Sequence, residues 1–193
     1  MPWDTWLADV SAHWQVASLR LTVFPAPGAP GAPLSWLELT GEEPDERQQQ
    51  PKNRTTIEVG RIAIGDHSRS VRIVTTPFQT DLHIAEAAVS VESEESQAGK
   101  PELMAPDEGL AALRQLAAKW FGLERPTTRI AFGAVLRRNA ANKPDAYLAL
   151  SDYLPFPLDT GSSDLVYQIN RPRTSRVFPD LEINRLNHWV VVT

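Results

Sequence analysis

The chain has 193 residues, 42% of them hydrophobic, which suits one globular domain with a sizeable core. It contains no cysteine, and this excludes disulfides, thiolate metal sites and a cysteine nucleophile. The net charge of −5 is unevenly spread, because residues 1–124 carry 10 Lys/Arg against 18 Asp/Glu and residues 125–193 carry 9 against 6. The basic excess of the last third suits contact with an acidic partner, but it is far from the dense basic stripe of a dedicated duplex binder.

The same properties predict the compartment. A reducing environment fits a chain without cysteine. The N-terminus lacks the basic and apolar segments of a signal peptide, and no run approaches the roughly 20 apolar residues of a membrane span. We therefore predict a soluble, cytoplasmic protein without membrane contact, folded as a single domain over residues 1–193.

The first segment predicts a helix with a stripe of tryptophans. Trp3, Trp6, Val10 and Trp14 follow the spacing that places side chains on one helical face, so we expect a short amphipathic helix over residues 3–13. Because Trp is favoured at the centre of interfaces, Trp3, Trp6 and Trp14 form a candidate docking stripe. The alternative is that the helix packs on the protein's own sheet.

Strand and loop signals follow the helix. Residues 15–24 alternate apolar and polar side chains, as a half-buried strand does. Proline lacks the N–H that a ladder needs, so the four prolines of residues 25–33 predict a mobile surface loop before a second strand over 34–39. The polar stretch 41–54 predicts a second mobile loop.

The middle of the chain predicts a β-hairpin and a helix. Two alternating segments, 56–64 and 69–76, flank Gly65-Asp66-His67-Ser68, which is a hairpin signal. Residues 82–92 fit either helix or strand, and the acidic region 92–105 predicts a third mobile loop. The helix predicted over 106–121 has an apolar stripe, Pro106 in its first turn and Gly122 at its end.

The predicted fold class is α+β, with a largely antiparallel sheet, an N-terminal amphipathic helix and one central helix. Helices are few in this pattern, and the strands come in hairpin-like runs. Beyond the central helix, strands are predicted over residues 129–137, 146–150, 165–170 and 181–192.

The tripeptide Ile-Asn-Arg occurs twice, at residues 169–171 and 183–185, and each copy lies in a strand-like run. Residues 172–179 between them predict a turn, so the two copies could present matched donors on a hairpin. Arg binds carboxylates and phosphates with a planar fork, and Asn addresses peptide groups or base edges. The candidate partner-binding or anion-binding residues are Asn170, Arg171, Arg173, Arg176, Asn184, Arg185 and Trp189. The alternative is structural, with these side chains closing turns and pairing with Asp180 and Glu182.

Two further patterns suggest hydrolytic chemistry. Residues 159–166, Asp-Thr-Gly-Ser-Ser-Asp-Leu-Val, resemble the active-site loop of the pepsin-type aspartic proteases. The resemblance implies a catalytic role for Asp159, but that family shares a proton between two such aspartates and this chain has one copy. The structural alternative is a turn before a strand, which Asp, Gly and Ser favour, and Pro155 and Pro157 interrupt the strand that would deliver Asp159 in a protease. Asp81, His83 and Glu86 are residue types that bind metals. At this spacing, however, the three side chains would not point to one place on either a strand or a helix.

We predict a non-enzymatic protein-interaction module, an accessory subunit or adaptor of a bacterial-type cytoplasmic assembly. Trp and Arg, which anchor protein interfaces, are the residue types behind this prediction. A protein partner is expected, and neither a cofactor nor a metal is. One alternative is a nucleic-acid-binding domain that uses the C-terminal Asn, Arg and aromatic residues. Another is a hydrolase built on Asp159 or on Asp81, His83 and Glu86.

Overall fold

A six-stranded antiparallel sheet organises the larger part of the fold. The computed structural model describes residues 14–26, 34–64, 66–85, 103–123 and 125–191, which fall into two compact units, Met1–Arg138 and Asn139–Thr193. The strands of the first unit are β1 (Gln15–Pro25), β2 (Glu46–Gln50), β3 (Thr55–Ile64), β4 (His67–Thr75), β5 (Thr80–Ala85) and β6 (Thr127–Arg137). Their order across the sheet is β2-β3-β4-β5-β1-β6, so β2 and β6 are its edges.

The hydrophobic core lies on one face of this sheet. Leu19 of β1 faces Ile84 of β5, and Ile84 faces Val71 of β4, so alternate residues of the three strands turn towards the same side. Two helices cover that side, α1 (Trp36–Thr40) and α2 (Pro106–Phe121). Their buried apolar side chains in the core cluster are Trp36, Leu39, Leu113, Leu116 and Trp120.

A buried tryptophan anchors α1 to the sheet. Trp36 is 2% exposed and lies over Gly60 of β3, where an added Cβ would come within 2.3 Å of the indole ring. The backbone N–H of Trp36 donates to Glu58 Oε2 at 2.7 Å, and Arg47 of β2 donates to Glu58 Oε1 at 2.8 Å. This buried carboxylate therefore ties both α1 and β2 to β3.

Several predicted elements are confirmed in place. The helix predicted over 106–121 is α2, and the predicted central hairpin is the β3–β4 pair, whose register runs from Thr56–Thr75 to Ile64–His67. The strands predicted over 15–24 and 129–137 are β1 and β6. The fold is thus a mixture of three helices and a large antiparallel sheet within the described residues.

Two short apolar segments predicted as strands are helices. Residues 34–39 contain α1, whose capping box pairs the Ser35 hydroxyl with the Glu38 N–H at 3.3 Å and the Ser35 N–H with a Glu38 oxygen at 3.0 Å. Residues 146–150 lie in α3 (Lys143–Ser151), where the Asn142 side chain accepts the Asp145 N–H at 2.9 Å. An apolar run of five or six residues has no distinctive period, so the caps decide its structure.

The stretch 41–54, predicted as a loop, contains the strand β2 and a short 3₁₀ turn, Pro51–Asn53. All five β2 residues are exposed, and the strand is held by its ladder to β3 rather than by apolar burial. A strand without an apolar face has no signature in hydropathy, which is why the sequence pattern missed it. The predicted mobility of 25–33, 41–54 and 92–105 stays a prediction.

The second unit contains α3 and four short strands, β7 (Val166–Asn170), β8 (Arg173–Thr174), β9 (Glu182–Ile183) and β10 (Leu186–Val190). The strand predicted over 181–192 is therefore interrupted at Asn184–Arg185. The prediction of a single domain over 1–193 stays a prediction.

Some predicted elements fall outside the described residues. These are the N-terminal helix over 3–13 with Trp3 and Trp6, and the part of the 82–92 segment that follows β5. Among the helices of the described ranges, none has the length and hydropathy needed to span a bilayer.

Candidate functional site

Residues 166–190 form one interrupted hairpin. Asn170 of β7 pairs with Leu186 of β10, and Arg173 of β8 pairs with Ile183 of β9. From the first pair to the second, the residue number rises by three on one strand and falls by three on the other. The two short sheets therefore share a single register. We call residues 166–190 the arginine hairpin.

A buried serine closes the tip of the arginine hairpin. The Ser175 N–H donates to the Leu181 carbonyl at 2.7 Å, and the Ser175 hydroxyl accepts the Phe178 N–H at 3.1 Å. Ser175 is 9% exposed, whereas the apolar tip residues Val177, Phe178 and Leu181 are largely exposed. The turn thus spans 175–181, slightly later than the predicted 172–179.

Aromatic contacts support the base of the arginine hairpin. Trp189 stacks on Tyr153 with ring centroids 5.8 Å apart, and Tyr167 meets the edge of Phe156 at 5.1 Å. Trp189 and Tyr167 face each other across β10 and β7 and are half-buried. Both rings therefore already make an aromatic contact.

The two Ile-Asn-Arg copies meet across the arginine hairpin. The Arg171 N–H donates to the Arg185 carbonyl at 2.9 Å, so these two arginines occupy facing positions. The Asn170 side chain donates to the Asn184 side chain at 3.4 Å. Arg171, Asn184 and Arg185 lie between the short strands, where the hairpin is interrupted.

The facing arginines are exposed, and neither pairs with a carboxylate of the described residues. In the described part of the chain no ion pair joins Arg171, Arg173 or Arg185 to an acidic group, so these three arginines do not make the expected pairing with Asp180 and Glu182. Like charges directly opposite each other destabilise a strand pair. A bound carboxylate or phosphate would relieve that repulsion, since the guanidinium fork suits both groups.

The predicted docking stripe is described only in part. Trp14 lies directly before β1 and is half-buried. Trp3 and Trp6 lie outside the described residues, so the stripe stays a prediction.

The protease-like motif is a turn. The Asp159 carboxylate accepts the Gly161 N–H at 2.9 Å, and the Asp159 carbonyl accepts the Ser162 N–H at 3.1 Å. These are the local bonds that Asp makes in turns. Asp159 is exposed, and within the described residues no hydrogen bond joins its carboxylate to a second aspartate.

In the pattern Asp81, His83 and Glu86, the two described residues contact neighbouring side chains of the sheet. Asp81 accepts hydrogen bonds from Arg20 at 2.9 Å, from Gln79 at 2.8 Å and from the Thr22 hydroxyl. His83 lies on the same face, in register with Arg20 on one side and Arg72 on the other. Burial, followed by these two arginines, lowers the pKa of His83, against an opposing effect of Asp81. Glu86 is outside the described residues, within which no three His, Asp or Glu side chains could hold a metal ion.

Sequence reasoning missed a second exposed surface. On edge strand β6, Ile130, Phe132 and Val135 are 52%, 55% and 53% exposed, and Leu136 is 38% exposed. We call these four residues the apolar edge. Apolar side chains on both faces of a strand are typical of a central, buried position. The signal was present in the sequence, but only the strand order reveals that β6 is an edge.

Comparison with known proteins identifies no family for this chain. No family model matches the chain, and neither the curated proteins nor the solved structures give a match.

Proposed function

We propose that this protein is a protein-interaction module, an accessory subunit or adaptor, whose arginine hairpin binds an acidic segment of a protein partner. The observation that carries the proposal is the facing pair Arg171 and Arg185, exposed and without a carboxylate in the described residues. Arg173, two residues after Arg171 on the same arm of the hairpin, extends the positive surface. A partner carboxylate would convert this repulsive arrangement into charge-assisted hydrogen bonds.

The surroundings of the arginines favour a protein partner. Val177, Phe178 and Leu181 at the hairpin tip are 76%, 63% and 52% exposed. Exposed apolar side chains beside charged ones suit an interface with a polypeptide, in which an apolar centre is surrounded by a polar rim.

Nucleic acid is the less supported partner. Single-stranded nucleic acid binds through bases that stack on open aromatic faces. Trp189 and Tyr167 are half-buried and already contact Tyr153 and Phe156, which leaves Phe178 at the tip as the exposed phenyl ring of the arginine hairpin. The nucleic-acid alternative stays a prediction, and the experiment below separates it from the proposal.

The test replaces Arg171 and Arg185 by alanine, singly and together, in the full-length protein. Each single change should weaken partner binding about tenfold to 100-fold, because a charge-assisted hydrogen bond is lost. The same change should leave the free energy of unfolding unchanged or raise it by about 0.2–1 kcal/mol, because a like-charge pair is removed. Affinity capture after nuclease treatment identifies the partner, and titration with that partner gives the affinity.

Arg61→Ala is the matched control, since Arg61 is an exposed arginine on β3 and its loss changes the net charge equally. It should leave partner binding intact. A partner that binds the double variant as well as the natural protein contradicts the proposal, and so does a loss of stability that accounts for the loss of binding. Material captured only when nuclease is omitted would favour nucleic acid instead.

A further inference from the structure

The two edges of the six-stranded sheet differ in chemistry. Edge strand β2 has five residues, Glu-Arg-Gln-Gln-Gln, all of them polar and exposed. Edge strand β6 has eleven residues and carries the apolar edge. Natural sheets protect their edges with short strands and charged side chains. Strand β2 is short and polar throughout, whereas β6 is long and its charges, Arg129 and Arg137, flank an apolar stretch. A long apolar edge strand is a template for pairing with another strand.

The exposure of β6 begins abruptly beside β1. Leu21 of β1 is 5% exposed, while its cross-strand neighbour Phe132 is 55% exposed, and Val23 at 5% faces Ile130 at 52%. Helix α2 therefore buries the apolar side chains of β1 but not those next to them on β6. The apolar surface of the core face therefore continues onto β6, where it is exposed. We call this part of the face, which includes Ile130 and Phe132, the apolar shelf.

We propose that β6 joins a second copy of this chain by antiparallel strand pairing, around a two-fold axis at Phe132. Phe132 is the midpoint of Thr127–Arg137, so this axis aligns the two strands over their full length, with the register shift at Thr128 falling near the ends of the pair. The two sheets then become one continuous sheet with both pairs of helices on the same side. This proposal uses a different surface from the arginine hairpin and does not depend on the proposed function.

The two-fold register at Phe132 matches side chains of compatible chemistry. Phe132 faces Phe132 of the second copy, and Ile130 faces Ala134 of the second copy on the same shelf. On the other side of the sheet, Arg129 faces Val135 of the second copy, and Arg137 faces Thr127 of the second copy. No like charges stand directly opposite each other, and the aromatic pair at the axis is a favourable cross-strand contact.

Charge selects this register over its neighbour. A two-fold axis at Gly133 would place Arg129 opposite Arg137 of the second copy, twice in each dimer, and such like-charge pairs are destabilising. An axis at Ala131 would leave Leu136 and Arg137 unpaired. Of these three registers, only the one at Phe132 uses the length of the strand and places no arginine directly opposite another.

The absence of cysteine in the natural chain makes a clean cross-linking test available. Facing residues of antiparallel strands have Cα atoms about 4.5–5.5 Å apart, within the range of a disulfide. Phe132→Cys in the full chain should give a covalent dimer under mild oxidation. Ile130→Cys alone should give little, because the two copies of residue 130 lie four positions apart, roughly 13 Å along the strands. Mixing Ile130→Cys with Ala134→Cys should restore cross-linking.

Gln48→Cys, an exposed position on the opposite edge strand, is the control for random collision. Without oxidation, light scattering at about 1–100 μM should show the natural chain approaching twice its monomer mass of 21.4 kDa. Phe132→Lys should weaken the dimer about 100-fold or more, because it removes two apolar side chains and places two ammonium groups at the axis.

Three results would overturn the proposal. They are a natural chain that stays monomeric at every concentration, equal cross-linking at positions 132, 130 and 48, and a dimer of the natural chain that does not cross-link through Phe132→Cys. The cross-linking pattern decides the matter even if Phe132→Lys does not fold.

Discussion

At the scale of single residues, His83 shows how a local environment becomes a property of the whole protein. Burial first, and then the guanidinium groups of Arg20 and Arg72, hold the pKa of His83 below its ordinary value. The unfolded chain therefore binds a proton at His83 more readily than the folded chain does. The stabilising contribution of neutral His83 is present above the unfolded pKa and is lost as the pH falls through and below that value.

We expect the free energy of unfolding to decrease between about pH 7.5 and pH 5.5, and His83→Gln to reduce that decrease. Urea unfolding at both pH values measures the effect. An NMR titration of the imidazole provides the direct measurement, and Arg72→Gln should move the pKa of His83 upwards because it removes one of the repelling charges. A pKa of His83 at its ordinary value would refute this account.

The arginine hairpin illustrates which site residues sequence can locate. The two Ile-Asn-Arg copies and the alternation around them predicted adjacent strands, because a strand period of two and an intervening turn are local properties. That Arg171 stands opposite Arg185 depends on the register, which no local pattern specifies. The aromatic neighbours Tyr153 and Phe156 come from a separate segment, so the engagement of Trp189 and Tyr167 could not be read from the hairpin alone.

At the scale of elements, the contact between α1 and β3 depends on a residue without a side chain. An added Cβ at Gly60 would lie 2.3 Å from the Trp36 ring, and Trp36 is too buried to move outward. We expect Gly60→Ala to lower the free energy of unfolding by about 1–3 kcal/mol through overpacking.

Gly133→Ala is the comparison for that change. Gly133 also lies in a strand, but an added Cβ there would have Arg20 Cβ at 3.9 Å as its nearest neighbour. Its effect should stay within about 1 kcal/mol, since the reduced entropy of the unfolded chain offsets small losses. Denaturant unfolding of both variants gives the difference, and equal effects would show that Trp36 tolerates the added methyl group.

Elements with long, strong periodicity were predictable from sequence, and short ones were not. Helix α2 spans sixteen residues with a full apolar stripe, and β3–β4 has alternation on both arms of a hairpin. Segments 34–39 and 146–150 have no such length. Their structure follows from Ser35 with Glu38 and from Asn142, which are capping signals present in the sequence but weaker than the apolar run beside them.

At the scale of the whole molecule, the buried apolar side chains are concentrated in the first unit. Every residue of the core cluster lies between Val16 and Trp120, whereas Tyr147, Leu150 and Ser175 are the buried residues recorded in the described part of 139–193. We expect a fragment of residues 1–138 to fold alone with a cooperative transition and a free energy of unfolding in the usual range of about 5–15 kcal/mol.

The control fragment, residues 1–126, lacks β6. It should not unfold cooperatively, because Leu21 and Val23 would lose their cross-strand neighbours Phe132 and Ile130. Calorimetry of both fragments and of the full chain provides the measurement. Failure of the 1–138 fragment to fold, together with a single transition of the full chain, would favour one cooperative domain over 1–193.

The order of the strands in the sheet was the largest feature that could not be predicted from the sequence. The composition of β6 is typical of a central strand, yet the sheet places it last, after β1. Order is decided by contacts between residues far apart in the chain, such as Leu21 with Phe132, and not by the character of either strand alone.

The contrast between β2 and β6 also limits how far such a sheet can grow. Each chain has one edge strand suited to pairing, β6. In a pair joined through β6, the two edge strands of the joined sheet would both be β2. Those strands are short and carry Glu46 and Arg47. Such charged ends disfavour further strand addition, so the proposed association would stop at a closed pair and would not continue into an open polymer.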